Sequence, residues 1–232
     1  MCGRYTNTAA AGELSERLHL PIVSDEGTGR YNVAPTQEVL AVVRSGEDLE
    51  ERMLRWGLVP FWAKDTKGGA RMINARIETV TTKPSFRALV PKASHRALQI
   101  ADGYFEWIKP EHRGQPRQPF YFQLEEGEPF AFAALWTSAT VEGEKVESST
   151  ILTCSSESNR LVSAIHNRMP VILADEESRA GWLDPGLGAE EALALCQPLE
   201  ASRMTVRPVT TAVNRVGPGA EGPAMLAPPD ED

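Results

Sequence analysis

Short apolar stretches bounded by Gly, Pro and acidic residues set the rhythm of this chain, and most have the length of a strand. Residues 38–44, rich in Val, predict a buried strand, and 52–58 predict another that ends before Pro60. Segments 97–101 and 104–108 predict two strands flanking Asp102-Gly103. Residues 119–124 and 130–136 read as a hairpin around Glu125-Glu126-Gly127, and 149–154, 170–173 and 204–213 complete the strand set. Helical spacing is rarer. Leu14 and Leu18 share one face of a short helix that Thr8 would cap. Lys83-Pro84-Ser85 reads as a helix start with proline at the first helical position. Residues 157–165, 176–183 and 189–196 read as further short helices. Many strands with scattered helices define an α+β, β-rich class. The segment 217–232 is rich in Pro, Gly and acid and predicts a disordered tail.

Composition narrows the class. The chain has 232 residues, 41% hydrophobic and 24% charged, enough apolar material for a substantial core. No apolar run approaches the ~20 residues that span a bilayer. The N-terminus has no apolar signal region, so the cytoplasm is the expected compartment. Three cysteines, Cys2, Cys154 and Cys196, are too few and too scattered for a disulfide framework or a metal site. Dinucleotide, P-loop and zinc-protease motifs are missing.

The net charge of −8 argues against bulk-charge binding to nucleic acid, but its distribution does not. Residues 52–96 hold ten basic side chains against only Asp65 and Glu78, a net +8 in a chain whose remainder is therefore −16. Such an island reads either as a polyanion-binding face or as a solvated surface. Trp56, Phe61 and Trp62 fall inside it. Aromatics interleaved with basic residues suit single-stranded nucleic acid, where bases stack and phosphates pair; core packing is the alternative.

Cys2 is the most informative position. Removal of Met1 would leave a free amine and a thiol on one residue, with ordinary pKa values of ~8 and ~8.5. Such a 1,2-aminothiol condenses with an aldehyde to an imine, and the thiol then closes a thiazolidine ring. Alternatively it attacks an amide as an N-terminal nucleophile. His166 lies at a helix-to-strand junction, and histidine titrates near neutrality. Glu106 lies between Phe105 and Trp107 and would point away from both in a strand, where burial would suit it to proton transfer. Asn74 sits within the basic island, where its amide would orient a ligand or cap a turn.

Taken together, these segments resemble the SOS response associated peptidase (SRAP) family. The matching stretches are Met1-Cys2-Gly3-Arg4-Tyr5, Tyr31-Asn32-Val33-Ala34-Pro35-Thr36-Gln37, Arg55-Trp56-Gly57-Leu58-Val59-Pro60 and Ile73-Asn74-Ala75-Arg76-Ile77-Glu78-Thr79. Further matches are Lys83-Pro84-Ser85-Phe86-Arg87, Ala101-Asp102-Gly103-Tyr104-Phe105-Glu106-Trp107, Ile165-His166-Asn167-Arg168-Met169-Pro170 and Pro208-Val209-Thr210-Thr211-Ala212-Val213-Asn214. The family usually reads Gly-Phe-Tyr-Glu-Trp where this chain has Gly103-Tyr104-Phe105-Glu106-Trp107, and Asn167 replaces a usual aspartate.

The resemblance implies one domain over residues 1–216, a compact β-rich fold with mixed and antiparallel sheets, and a positively charged groove. It implies covalent capture of abasic sites in single-stranded DNA through Cys2, as part of the response to DNA damage. Asn74 would position the cysteine, Glu106 would shuttle protons, and His166 would assist opening of the sugar ring. Arg4, Arg76 and Arg168 would hold phosphates; Trp56, Phe61 and Trp62 would line the groove. No metal or cofactor is implied, and the expected state is a monomer with no membrane partner. Two alternatives are a thiol autopeptidase that cleaves the Met1–Cys2 bond and a non-covalent reader of modified DNA.

Overall fold

The computed structural model describes residues 2–108 and 116–229. Two sheets organise it. The first has five strands in the order β13-β8-β7-β1-β2, where β1 is Tyr5–Asn7, β2 Arg30–Val33, β7 Gly103–Trp107, β8 Pro119–Leu124 and β13 Met204–Pro208. The second is built on β3 (Glu38–Ser45), β4 (Asp48–Trp56), β6 (Arg96–Ala101), β9 (Phe130–Val141) and β10 (Glu144–Ser155). Its order runs β10-β4-β3-β6-β9, and β9 pairs again with β10, so these five strands close into a barrel. Three short strands complete it: β5 (Asn74–Arg76), β11 (Arg168–Pro170) and β12 (Ile172–Leu173). The mixed character comes from β10, which runs parallel to β4 and β5 and antiparallel to β9 and β11.

The apolar runs explain the barrel. Val39 through Val43 and Phe130 through Leu135 are buried without interruption, as strands covered on both faces require. The same property undoes the hairpin expected over 119–136. β8 pairs with β7 and β13, whereas β9 pairs with β6, β10 and β12. The acidic turn carries the chain from one sheet to the other, because each strand is apolar enough to sit between two neighbours.

Helices are few: α1 (Ala11–Leu18), α2 (Arg160–Ser163), α3 (Glu176–Trp182) and α4 (Ala189–Ala194). Thr8 does not cap α1, whose N-cap is Ala10. Thr8 instead donates its backbone N–H (2.5 Å) and its hydroxyl (2.6 Å) to Asp102, which also accepts from Thr6 Oγ1. Asp102 thereby ties β1 to the turn between β6 and β7. No helix starts at Lys83; residues 79–92 wind through turns that mix three- and four-residue hydrogen-bonded spacings and bury Phe86, Leu89 and Val90. The strand expected over 170–173 is split at Val171, whose N–H donates to Leu152 while its carbonyl accepts from Ala133.

Residues 217–229 are ordered against the five-stranded sheet, contrary to the composition-based expectation. Met225 is buried with Phe105, Tyr121, Val209 and Val213. Glu221 accepts from the backbone N–H groups of Tyr31 and Asn32, and Thr210 N–H donates to the Ala227 carbonyl at 2.9 Å. One apolar anchor and a few backbone bonds suffice to dock a segment whose average composition is polar. Among the described residues no helix is long and apolar enough to cross a membrane.

A candidate active site at the N-terminal cysteine

The site forms where the two sheets meet. β1 begins just after Cys2, and β7 pairs with it so that Tyr5 lies opposite Tyr104. The C-terminal half of β10 is flanked by β5 on one side and β11 on the other, with Ile151 opposite Asn74 and Ser155 opposite Arg168. Short strands from three distant parts of the chain are thus brought to one place.

Cys2 is buried in the larger apolar core. Asn74 Nδ2 donates to the Cys2 carbonyl at 2.7 Å, fixing the backbone of the residue whose amine and thiol are the candidate reactive groups. Asn74 Oδ1 is buried and has no hydrogen-bond partner among the described residues. Glu106 is also buried, at 2% exposure, on the face of β7 opposite Phe105 and Trp107. Burial, and then the Glu106 charge, push the Cys2 thiol well above its ordinary range. At neutral pH the residue is a thiol, so its sulfur needs a base to become nucleophilic.

His166 sits between α2 and β11. Its Nδ1 accepts from the Arg168 backbone N–H at 3.0 Å. Its carbonyl accepts from Ser156 Oγ at 2.6 Å. Asn74 therefore meets Cys2 directly and Glu106 bears on its thiol electrostatically, whereas His166 is hydrogen-bonded to the start of β11.

The expected DNA contacts divide into two kinds. Arg76 is exposed on β5, and Lys64, Lys67, Arg71, Lys83, Arg87 and Lys92 are exposed around it in sequence. Phe61 and Trp62 are 69% and 50% exposed and meet edge to face at 4.8 Å. They border an open slot of about 270 Å³ with Pro84, Lys92 and His95. Other members are already engaged. Arg4 donates to Asn32 Oδ1 at 2.8 Å and to the Val213 carbonyl, with its guanidinium 5.9 Å from the Trp107 ring centre. Arg168 forms a two-pronged ion pair with Glu78, at 2.6 and 2.9 Å, and donates to the Thr153 carbonyl. Arg52 pairs with Glu50 and Glu147, and Arg96 is buried among the carbonyls of Val90, Asp184 and Leu187.

Trp56 corrects an expectation. It is fully buried, with its ring 5.2 Å from Tyr5, and its indole N–H donates to the Ile73 carbonyl at 3.0 Å. It cannot stack on a base; it supports the residue before Asn74 from within the core. The sequence did not mark Glu78, the partner of Arg168, which offered no signal beyond being one of two acids in a basic segment. Among the described residues no three His, Cys, Asp or Glu side chains converge as a metal-binding group.

A β-rich domain with its first cysteine held in place by an asparagine amide falls into a recognised class. The SOS response associated peptidase (SRAP) family model matches residues 1–216, and the chain belongs to that family. Among curated relatives, it is 38% identical over 218 residues to "Abasic site processing protein YoqW" of Bacillus subtilis, covering 92% of this chain and 94% of that protein. It is 33% identical over 229 residues to "Abasic site processing protein YedK" of Escherichia coli, with 95% and 98% coverage. The rat "Abasic site processing protein HMCES" is 32% identical over 206 residues, covering 76% of this chain and 56% of the relative. A solved protein from Bacteroides thetaiotaomicron superposes with a TM-score of 0.81 at 25% identity, over 98% of this chain and 99% of that one. A phage-related protein from Bordetella bronchiseptica gives 0.70 at 27% identity, with 90% and 94% coverage.

Proposed function

We propose that this protein processes abasic sites in DNA by covalent capture through Cys2. The observation that carries the reading is the Asn74 bond to the Cys2 carbonyl, which immobilises a 1,2-aminothiol beside a buried carboxylate. The names of the curated relatives support abasic DNA as the substrate.

The chemistry follows from the groups. An abasic deoxyribose equilibrates with a ring-opened aldehyde at C1′. His166 assists that opening by giving a proton to the ring oxygen. With Met1 removed, the Cys2 amine attacks C1′, and water leaves as the imine forms. The thiol gives its proton to Glu106, the sulfur bonds to C1′, and the imine nitrogen regains a proton. The product is a thiazolidine, formed with no oxidant or reductant. Run backwards through Glu106, the same steps release the protein.

Specificity resides in the aldehyde, so base readout is unnecessary. Arg76 and the exposed basic side chains near it in sequence offer phosphate contacts, while Phe61 and Trp62 offer stacking surfaces for unpaired bases. Arg4 and Arg168 would reach phosphates only by sharing or leaving their present partners. The adduct would shield the lesion from strand-cleaving enzymes. Thiol autopeptidase action on the Met1–Cys2 bond would use the same Cys2, Glu106 and His166 and would unmask the amine that capture needs.

The test is a denaturing gel, without borohydride, of processed protein incubated with single-stranded DNA bearing one abasic site. The expected result is a heat-stable shifted band that requires both the abasic site and Cys2, and that is lost in Cys2→Ala. Absence of the band from protein whose Met1 removal is confirmed by mass spectrometry overturns the reading.

A further inference from the structure

Trp56, which cannot stack on a base, has no task in the chemistry above. It ends β4, where it lies opposite Ser149 of β10. β5 takes up the same edge of β10 two residues further on, with Ile151 opposite Asn74, while β9 holds the other edge. Between β4 and β5 the chain leaves that edge as a loop, residues 57–72, which carries the exposed Phe61 and Trp62. The Leu58 N–H donates to the Met72 carbonyl at 3.1 Å, which draws the two ends of the loop together. The Trp56 indole joins them again one residue deeper, at Ile73.

Burial alone would be served by a ring without a donor. A buried indole N–H needs a partner, and the partner here is the Ile73 carbonyl at 3.0 Å. The same oxygen also accepts from the Ile151 N–H at 3.0 Å. It shares a rigid peptide plane with the Asn74 N–H, so two donors fix the backbone from which the Asn74 amide reaches the Cys2 carbonyl. The strand they steady is slight: β5 has three residues and, among the described residues, pairs only with β10. Trp56 is itself well anchored. Its backbone N–H donates to the Gln37 carbonyl at 2.9 Å, and its carbonyl accepts from the Thr36 N–H at 2.7 Å. Its ring also meets that of Tyr5, with centres 5.2 Å apart and planes at 65°. Tyr5 lies three residues beyond Cys2, at the start of β1. One side chain therefore bears on both strands that the Asn74–Cys2 bond connects.

We propose that Trp56 is a positioning residue for capture, its indole N–H holding the Ile73–Asn74 peptide where the Asn74 amide meets the Cys2 carbonyl. Its place in the reaction rests on the capture reading; its hold on Asn74 does not. Trp56 meets no reacting atom and moves no proton, so its whole effect passes through Asn74.

The test uses the full chain with Met1 removed. Its first readout is single-turnover crosslinking to single-stranded DNA bearing one abasic site, in a double-mutant cycle of Trp56→Phe with Asn74→Ala. With Asn74 present, Trp56→Phe is expected to slow crosslinking about tenfold, the weight of one hydrogen bond. In the Asn74→Ala background the same change should alter the rate less than about twofold, because the group it acts through is gone. Trp182→Phe is the control. Trp182 is also fully buried, and its indole N–H donates to the Ala97 carbonyl of β6 at 3.0 Å. It should lower the melting temperature as Trp56→Phe does and keep the parent crosslinking rate. Where Trp56→Phe fails to fold, benzothienylalanine in place of Trp56 keeps both rings and removes only the N–H. An unchanged rate on loss of the Trp56 N–H, an equal loss in both Asn74 backgrounds, or an equal loss in Trp182→Phe overturns the proposal. The second readout needs no DNA: it is solvent exchange of the Asn74 side-chain amide, followed by NMR and assigned by its absence from Asn74→Ala. Trp56→Phe should speed that exchange about tenfold, and unchanged exchange overturns the proposal. Faster exchange in a protein whose parent forms no crosslink would sink the capture reading alone. A crosslink whose rate and amide exchange ignore Trp56→Phe would sink the Trp56 role alone.

Discussion

Asn74 shows how much a single side chain can decide at the residue scale. Its amide is the fixed point of Cys2, and a misplacement of about 1 Å can cost about 10²-fold in rate. Asn74→Ala should therefore reduce crosslinking to abasic DNA by about 10²-fold, measured by single-turnover gel assay. The change should cost only about 1 kcal/mol of stability, because one hydrogen bond is lost. A crosslinking rate equal to the parent's would show that the amide positions nothing. Glu78 gives a pH signature. The hydrogen bonds from Arg168 hold its carboxyl below the ordinary value of 4.5. Its stabilising contribution is complete above that value and is lost as the pH falls through the lower folded-state one. Melting curves of the parent and of Glu78→Gln should therefore differ at pH 7 and converge in acid; a gap that persists at low pH would place the stabilisation elsewhere. Cys2, Asn74, Glu106 and His166 could be named as candidates from their chemistry and neighbours, and the family resemblance joined them into one site. Glu78 could not be, because an ion pair across 90 residues of sequence leaves no local trace.

Elements were legible where burial is one-sided or where the apolar run is unmistakable, as in β3, β4, β6, β7, α3 and α4. They were misread where a strand could serve two neighbours. β8 and β9 look like a hairpin because sequence proximity and a Gly-containing turn are local signals, whereas the choice of sheet is made by distant partners. The tightest element-scale constraint is at Gly103, the first residue of β7. A Cβ there would lie 2.1 Å from the Tyr121 hydroxyl, which itself hydrogen-bonds Thr6 at 2.9 Å. Gly103→Ala should displace Tyr121, disturb the Thr6–Asp102 contacts that align β1 with β7, and destabilise the fold by a few kcal/mol. Chemical denaturation would measure this, and an unchanged midpoint would contradict it. The same strand carries Glu106, so a partly folded Gly103→Ala protein should also lose Cys2 chemistry.

At the scale of the whole molecule, the charge island is less concentrated than its sequence implies. Arg52 and Arg96 are consumed by the fold, Arg55 donates to the Thr36 carbonyl, and of the exposed remainder Lys92 lines the slot beside Phe61 and Trp62. DNA binding should therefore weaken with added salt according to the few phosphates engaged, and not according to ten charges. The C-terminal segment is the other large-scale correction. Cutting the chain after Val216 removes Met225 and the Glu221 carboxylate from the five-stranded sheet. Loss of one buried methionine alone costs about 2–5 kcal/mol, which corresponds to a fall in melting temperature of about 5–15 °C for a chain of this size. A truncated protein that melts with the parent would show the segment to be dispensable. Its attachment has one more consequence. β2 ends the five-stranded sheet, and Glu221 occupies two of its backbone donors. Without that carboxylate the outermost strand would present unpaired amides to any other copy of the chain, so the segment that composition marks as expendable also guards the protein against self-templated aggregation.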